Sequence, residues 1–134
     1  MDSFTQTYPM PRFADPPDTV LDIPVPPSVN KTRRVNWAAR KDVEAWQIHA
    51  DKTLMANGQY RKAKKHPIAD RFELTVILNE KTCGQDADNP LKGIIDYLRR
   101  IKLIRDDSKK YLRKITVEWG TAPTGCRLIL KAVA

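Results

Sequence analysis

Apolar positions along this chain follow two rhythms, a period of two and a period near 3.6, and each marks a different element. Residues 71–79 (RFELTVILN) place Phe72, Leu74, Val76 and Leu78 on one face and Thr75 and Ile77 on the other. Apolar residues on both faces predict a central strand. Residues 111–119 set Ile115, Val117 and Trp119 against Lys114, Thr116 and Glu118, the pattern of a half-buried strand. Residues 126–133 read as a last strand, hairpinned onto its predecessor through the turn GTAPTG (120–125). Residues 20–32 read as a short strand stopped by Pro24, Pro26 and Pro27, which cannot donate ladder hydrogen bonds and so predict a sheet edge or an extended loop.

Two segments carry the helical period. Residues 37–56 space Trp37, Val43, Trp46, Ala50 and Leu54 along one side, with Asn36 placed to cap the start and Asn57-Gly58 to end it. Residues 90–103 space Leu91, Ile94, Ile95, Leu98 and Ile101 as a buried stripe, with Asn89 as cap and Pro90 at the first helical position. Between them residues 58–70 read as a basic loop closed by His66-Pro67, residues 80–88 as a loop and Arg105–Ser108 as a turn. The order strand, helix, strand, helix, strand, strand predicts a single α+β domain: a mixed β-sheet with two principal helices. Trp37, Trp46 and Trp119 are expected in its core, although an exposed one could stack on an unpaired base.

Charge changes the picture from scaffold to partner. The chain has 134 residues and a formal charge of +8. Residues 1–22 hold Asp2, Asp15, Asp18 and Asp22 against Arg12 alone, and seven of the ten prolines precede position 28. Residues 1–19 therefore read as a flexible, proline-rich arm, and residues 20–134 as the folded domain. That body carries the whole positive excess, in four clusters. They are Lys31, Arg33 and Arg34; Arg61, Lys62, Lys64, Lys65 and His66; Arg99, Arg100, Lys102 and Arg105; and Lys109, Lys110, Arg113 and Lys114. Any one cluster is explained by solubility; four on one small body point to a polyanion. No apolar run approaches the roughly 20 residues a membrane span needs, and no export signal is legible, so no membrane and a cytoplasmic location are expected. Cys83 and Cys126 are too few for a disulfide scaffold and too far apart for a zinc ribbon.

The chemistry concentrates in Asp86-Ala87-Asp88-Asn89-Pro90-Leu91-Lys92. Two aspartates two apart in an extended segment point to the same side. Asp107 follows at the exit turn of the helix. Three converging carboxylates repel one another, and a hard divalent cation removes that penalty. Mg²⁺ takes oxygen ligands and is commonly shared with a phosphate, so carboxylate-held Mg²⁺ on a basic protein suggests phosphodiester hydrolysis. Lys92 lies in the first turn of the helix, where the macrodipole disfavours a cation, and four residues after Asp88 it could face the same site and stabilise charge on the phosphorane. The bland alternative is that Asp86 and Asp88 are caps and solvated loop charges. His49, on a charged helix face, and His66, in a basic loop, are not expected to act as catalysts, and Cys83 reads as a bystander thiol.

The segment DADNPLKGIIDYLRRIKLIRDD, residues 86–107, resembles the signature of the RusA-type Holliday junction resolvases: Asp-x-Asp-Asn-x-x-Lys, an amphipathic helix, then Asp-Asp. IPVPPSVNKTRR, residues 23–34, is similar to the family's Pro-Pro-Ser-x-Asn stretch and the basic residues after it. The resemblance extends over residues 20–133. The chain departs from the pattern in having Cys83-Gly84-Gln85 where the family often has basic residues, Pro90 inside the motif, and the acidic arm.

The resemblance implies a homodimeric, structure-selective endodeoxyribonuclease that resolves four-way DNA junctions in recombination and repair by paired symmetric nicks. The family uses Mg²⁺ or Mn²⁺ and is common in phage-derived regions. By position Asp86, Asp88 and Asp107 become the metal-binding catalytic carboxylates and Lys92 the essential lysine. Asn89 supports the site and Asp106 is not expected to be a ligand. From the basic clusters Lys31, Arg33, Arg34, Lys64 and Lys65 are expected, with Asn89, to contact DNA. Two strands of opposite polarity require two sites related by a twofold axis. Two rivals stand beside this reading: a non-catalytic DNA-binding protein on the same scaffold, and a nuclease for flaps or forks. The deciding observation is the distance among the carboxyl oxygens of Asp86, Asp88 and Asp107 in the folded dimer; a third acid on the opposite flank of the molecule, out of reach of the first two, would leave only a basic DNA-coating protein.

Overall fold

The computed structural model describes residues 18–27 and 37–133. Lys31, Arg33, Arg34 and Asn36 lie outside them, as do residues 1–17 of the arm and the side chain of Trp37. In chain order the elements are β1 (Thr19–Ile23), α1 (Trp37–Ala56), α2 (Gln59–Lys65), β2 (Phe72–Asn79), α3 (Leu91–Arg100), β3 (Leu112–Gly120) and β4 (Cys126–Ala132). They form one α+β domain with a four-stranded mixed sheet in the order β1-β4-β2-β3. Among the described residues no helix is long and apolar enough to cross a membrane.

β2 is central, as its two apolar faces predict. Phe72, Val76 and Leu78 are wholly buried and Leu74 is 1% exposed, while Glu73, Thr75, Ile77 and Asn79 on the other face are half-buried. The expected hairpin between the last two strands does not form. β2 lies between them, parallel to β3 and antiparallel to β4. The reason is that β2 takes a hydrogen-bonded neighbour on each side, and the parallel crossover through α3 fills only one of them. The chain after β3 therefore steps across the end of β2, held there by Asn79, whose Nδ2 donates to the Ala122 carbonyl (2.8 Å) and whose N–H donates to the Gly125 carbonyl (3.0 Å). Gly125, with φ 115°, makes the return under Val25, whose Cγ2 would sit 3.1 Å from any added Cβ.

The inward rows of the sheet align across strands: Leu21 with Leu128, Leu128 with Val76, and Val76 with Val117. Trp46, Ala50 and Leu54 of α1, Ala63 of α2, and Ile94, Tyr97 and Leu98 of α3 join that face in one hydrophobic cluster. Trp46 meets Tyr97 edge-on at 5.2 Å between centroids. The buried Tyr97 hydroxyl donates to Asp51 of α1 (2.6 Å), and Arg100 pairs with the same carboxylate at 3.1 Å. Burial and the Asp51 carboxylate together push the Tyr97 hydroxyl pKa well above its ordinary value, so it remains a donor.

Four further expectations need correction. Residues 59–65 are helical, not loop; a run of lysines with one buried alanine hides an amphipathic turn that the fold recruits at Ala63. Trp119 is 47% exposed and Ile115 42% exposed, because β3 is an edge strand that the helices cover only in part. Asn89 does not cap α3: Pro90 occupies the cap position without a side-chain bond, and the chain enters through two successive turns, Asn89 N–H to the Asp86 carbonyl and Leu91 N–H to the Asp88 carbonyl. At its other end α3 stops earlier than residue 103. Leu103 N–H reaches the Leu98 carbonyl and Lys102 N–H the Arg99 carbonyl, with Lys102 at φ 60°. That is a Schellman termination with lysine in the left-handed position where glycine is usual. Lys102→Gly is expected to raise stability by about 0.5–1 kcal/mol, read by urea denaturation.

One polar network sits at the β1 margin. Asp22 accepts from Arg127 Nε (2.8 Å) across the strand pair and from Gln59 Nε2 (2.9 Å), while its own N–H donates to Gln59 Oε1 (2.6 Å). Burial alone would push the Asp22 carboxyl up; the hydrogen bonds from Arg127 and Gln59 and the guanidinium charge outweigh it and hold the pKa below the ordinary 3.8. The unfolded chain thus binds this proton more readily, and stability from Asp22 is full above about pH 4 and lost as pH falls through the folded value. Asp22→Asn is expected to cost about 1–3 kcal/mol at neutral pH. In thermal unfolding its gap from the natural chain should close as pH drops below about 4.

Candidate metal centre and nucleic-acid surface

Asn79, the last residue of β2, organises the loop that follows. Its carbonyl accepts from the Cys83 N–H (2.9 Å) and its Oδ1 from the Lys81 N–H (2.9 Å). Cys83 is half-buried and turned toward the core, with its thiol 3.9 Å from the Gln85 carbonyl oxygen. Both cysteines are free. Burial pushes the Cys126 thiol up to about 12, so that group stays a neutral core residue.

From Gln85 the chain alternates. Gln85, Ala87 and Asn89 are half-buried and Asp86 and Asp88 are exposed, with Ala87 packed against the core. Same-side projection requires an extended chain; here the Asn89 N–H to Asp86 carbonyl bond closes residues 86–89 into a turn, so alternation does not govern these two exposed carboxylates. Gln85 Nε2 donates to the Pro26 carbonyl (2.8 Å), and a Cβ at Gly93 would lie 3.1 Å from Pro26 Cβ. The Pro24–Pro27 stretch and the Asp86–Gly93 stretch, 59 residues apart at this bond, are thus in direct contact. The close approach needs glycine at 93, since a larger side chain would displace the proline.

Lys92 lies in the first turn of α3 with its side chain 73% exposed, and pairs with Asp96 one turn on at 3.4 Å. It borders a cleft of about 240 Å³ with Pro26, Pro27, Trp46 and Gln47. Asp107 is elsewhere. It follows the C-terminal end of α3, where Arg99 reaches Asp106 (4.0 Å) and Asp107 (3.9 Å). Asp106 Oδ1 accepts the Asp107 N–H (2.8 Å), and that backbone bond, with Arg99 nearby, lowers the Asp106 pKa. Asp106 is therefore tied into its own turn, while Asp107 opens onto a shallow surface with Lys109, Arg113 and Lys114.

One chain thus brings together Asp86, Asp88, Lys92 and the proline stretch, but not Asp107. The ten residues of α3 span about 15 Å, and the two groups stand at its opposite ends. Among the described residues no three His, Cys, Asp or Glu side chains gather closely enough to hold a metal ion jointly.

The basic clusters divide by use. Lys64 Nζ donates to the Ile101 carbonyl (2.7 Å), one of the unpaired carbonyls beyond α3. Arg100 is paired with Asp51 and Arg99 with the acidic turn. Arg105 and Lys110 lie over the Tyr111 ring, at 5.8 and 5.4 Å. Lys65 is exposed. The sequence reading missed three residues that shape the site. Asp96 was visible as the i+4 partner of Lys92; Gln85 and the clamp by Arg99 depend on tertiary contacts that no local spacing reveals. Models of known protein families and curated proteins offer no match to this chain.

Gln85→Ala should free the loop from Pro26, costing about 1 kcal/mol. Amide hydrogen exchange of residues 83–89 should then accelerate while β2 stays protected; unchanged exchange would mean that the Pro26 bond does not order the loop.

Proposed function

We infer that this protein is a Mg²⁺-dependent endodeoxyribonuclease acting on branched DNA, with the four-way junction as substrate. The observation that supports this most is the contact of the two stretches that carry the family resemblance. Pro26 packs on Gly93 and accepts from Gln85, so the proline segment, the Asp86–Asp88 pair and Lys92 lie within one neighbourhood. The donor set suits the ion: hard carboxylate oxygens, exposed to solvent, with no soft ligand among them. Mg²⁺ is commonly held by one or two carboxylates plus substrate phosphate, which Asp86 and Asp88 can supply. When bound, the ion polarises the phosphoryl oxygen and eases loss of a proton from the attacking water.

The protein's own part is binding and orientation. Lys92, exposed at the cleft margin, places positive charge beside the phosphate; Asp96 holds its ammonium one helical turn away until DNA competes for it. The basic body grips the duplex arms through their phosphates, which makes binding structure-selective and salt-sensitive. Paired nicks on strands of opposite polarity call for a homodimer, and in it the trio of carboxylates would be completed by the partner subunit's Asp107.

A non-catalytic DNA-binding protein is favoured by one specific observation, the separation of Asp107 from Asp86 and Asp88 within a chain. One assay divides the two readings. With labelled four-way junction and Mg²⁺, the natural chain should nick and Asp88→Asn should lose cleavage by at least about a hundredfold, taking one lost metal ligand as about 3 kcal/mol of barrier. Junction binding by Asp88→Asn should be equal or tighter. Junction bound but never cut by the natural chain, or cut equally by both proteins, refutes the nuclease assignment.

A further inference from the structure

Two adjoining hollows flank the start of β1, and Thr19 and His66 line both of them. The smaller, about 120 Å³, lies between β1 and α2 and is bounded by Val20, Lys62 and Ala63. The larger, about 450 Å³, continues past His66 over Ile68 and Leu130. Ala63, Ile68 and Leu130 are core residues, so the floor of this groove is apolar. The exposed charges round it are Lys62, Lys65 and Arg71 against Asp70. An apolar floor with a cationic rim suits an occupant that is apolar and acidic.

The chain itself supplies one. Asp18, the first residue described, lines the smaller hollow, and seventeen residues precede it. The nearest five are Phe13-Ala14-Asp15-Pro16-Pro17: a large apolar side chain, then an acid, then two prolines. An extended chain covers at most about 3.6 Å per residue, which keeps Phe13 within about 18 Å of Asp18. A tether that short gives the segment a millimolar effective concentration at the groove. Pro16 and Pro17 fix φ, which lowers the entropy lost on seating it. Among the arm's large apolar residues, Phe4, Tyr8, Met10 and Phe13, the last stands closest to the groove in sequence.

We propose that residues 13–15 of the N-terminal arm cover this groove, with the Phe13 ring on its floor and the Asp15 carboxylate against Lys62 and Lys65. The arm is then an internal cover on part of the basic face of α2, and those two ammonium groups become available to a polyanion only when the arm departs. The groove and the arm carry this whether or not the protein cuts DNA.

Arg12, the one basic side chain of the arm, puts a trypsin site beside Phe13. In brief digestion of the full chain, followed by mass spectrometry, the Arg12–Phe13 bond should be cut at least about tenfold more slowly than in a free peptide of residues 8–18, because cleavage tracks the population with the arm open. Phe13→Ala changes no charge and no residue of the sheet or helices. It should bring the rate to that of its own matched peptide, and should speed acylation of Lys62 and Lys65 by a water-soluble succinimidyl ester while Lys52 of α1 reacts as before. Equal cleavage of natural chain and peptide overturns the proposal. So does protection that survives Phe13→Ala, which would put another part of the arm on the protein, or acylation of Lys62 and Lys65 that the substitution leaves unchanged. Protection that grows with protein concentration also overturns it, since the arm would then be seated on a second copy.

Discussion

A strand whose inward side chains are sealed from water and whose two edges both carry hydrogen bonds can only lie inside a sheet, and Phe72–Asn79 is that strand here. Burying each of its four inward residues contributes on the order of 2 kcal/mol, but only if the helices cover that face and both neighbours close its edges. A parallel neighbour requires a long crossover, which the chain supplies as α3. An antiparallel neighbour must then come from beyond β3, so the 121–125 turn has to straddle the end of β2. Asn79 fastens that turn and the loop leading to Asp86 from a single side chain and its backbone. The position of the acidic loop is thereby a consequence of how the central strand is closed.

Electrostatics in this molecule is less free than the composition implies. Arg127 is drawn into the β1 margin by Asp22, Arg100 into the α1–α3 contact by Asp51, Arg99 into the acidic turn, and Lys64 onto a helix-end carbonyl. Each is a cation whose first partner is the protein itself. A polyanion would therefore find its steadiest contacts at residues such as Lys65, Lys109 and Lys114, whose charges extend from the exposed surface. Held cations order the structure; exposed ones set the salt dependence of whatever binds.

Local signals in the sequence were sufficient for most elements and for none of the pairings. The bounds of α1 follow from the spacing of Val43, Trp46, Ala50 and Leu54 and from Asn57-Gly58. The hairpin expectation failed because adjacency in sequence favours β3 with β4, while the competing demand of β2 for two partners is a property of the whole sheet. Trp119 was assigned to the core on its apolar character, yet exposure is set by edge position, which the strand itself does not encode. The relation of Asp107 to the other acids was illegible for the same reason. Twenty-one residues separate it from Asp86, and only the α3 crossover reveals that they leave from opposite ends.

That separation is written into the sheet. In register, Asn79 of β2 lies beside Gly120 of β3, so the acidic loop of Asp86 and Asp88 emerges at the Gly120 end of the strand. Asp107 precedes Leu112 and lies at the other end. A parallel pair joined through one helix must send its entry loop and its exit turn to opposite ends of the sheet. The crossover that makes these acids neighbours in sequence is therefore what parts them in the fold.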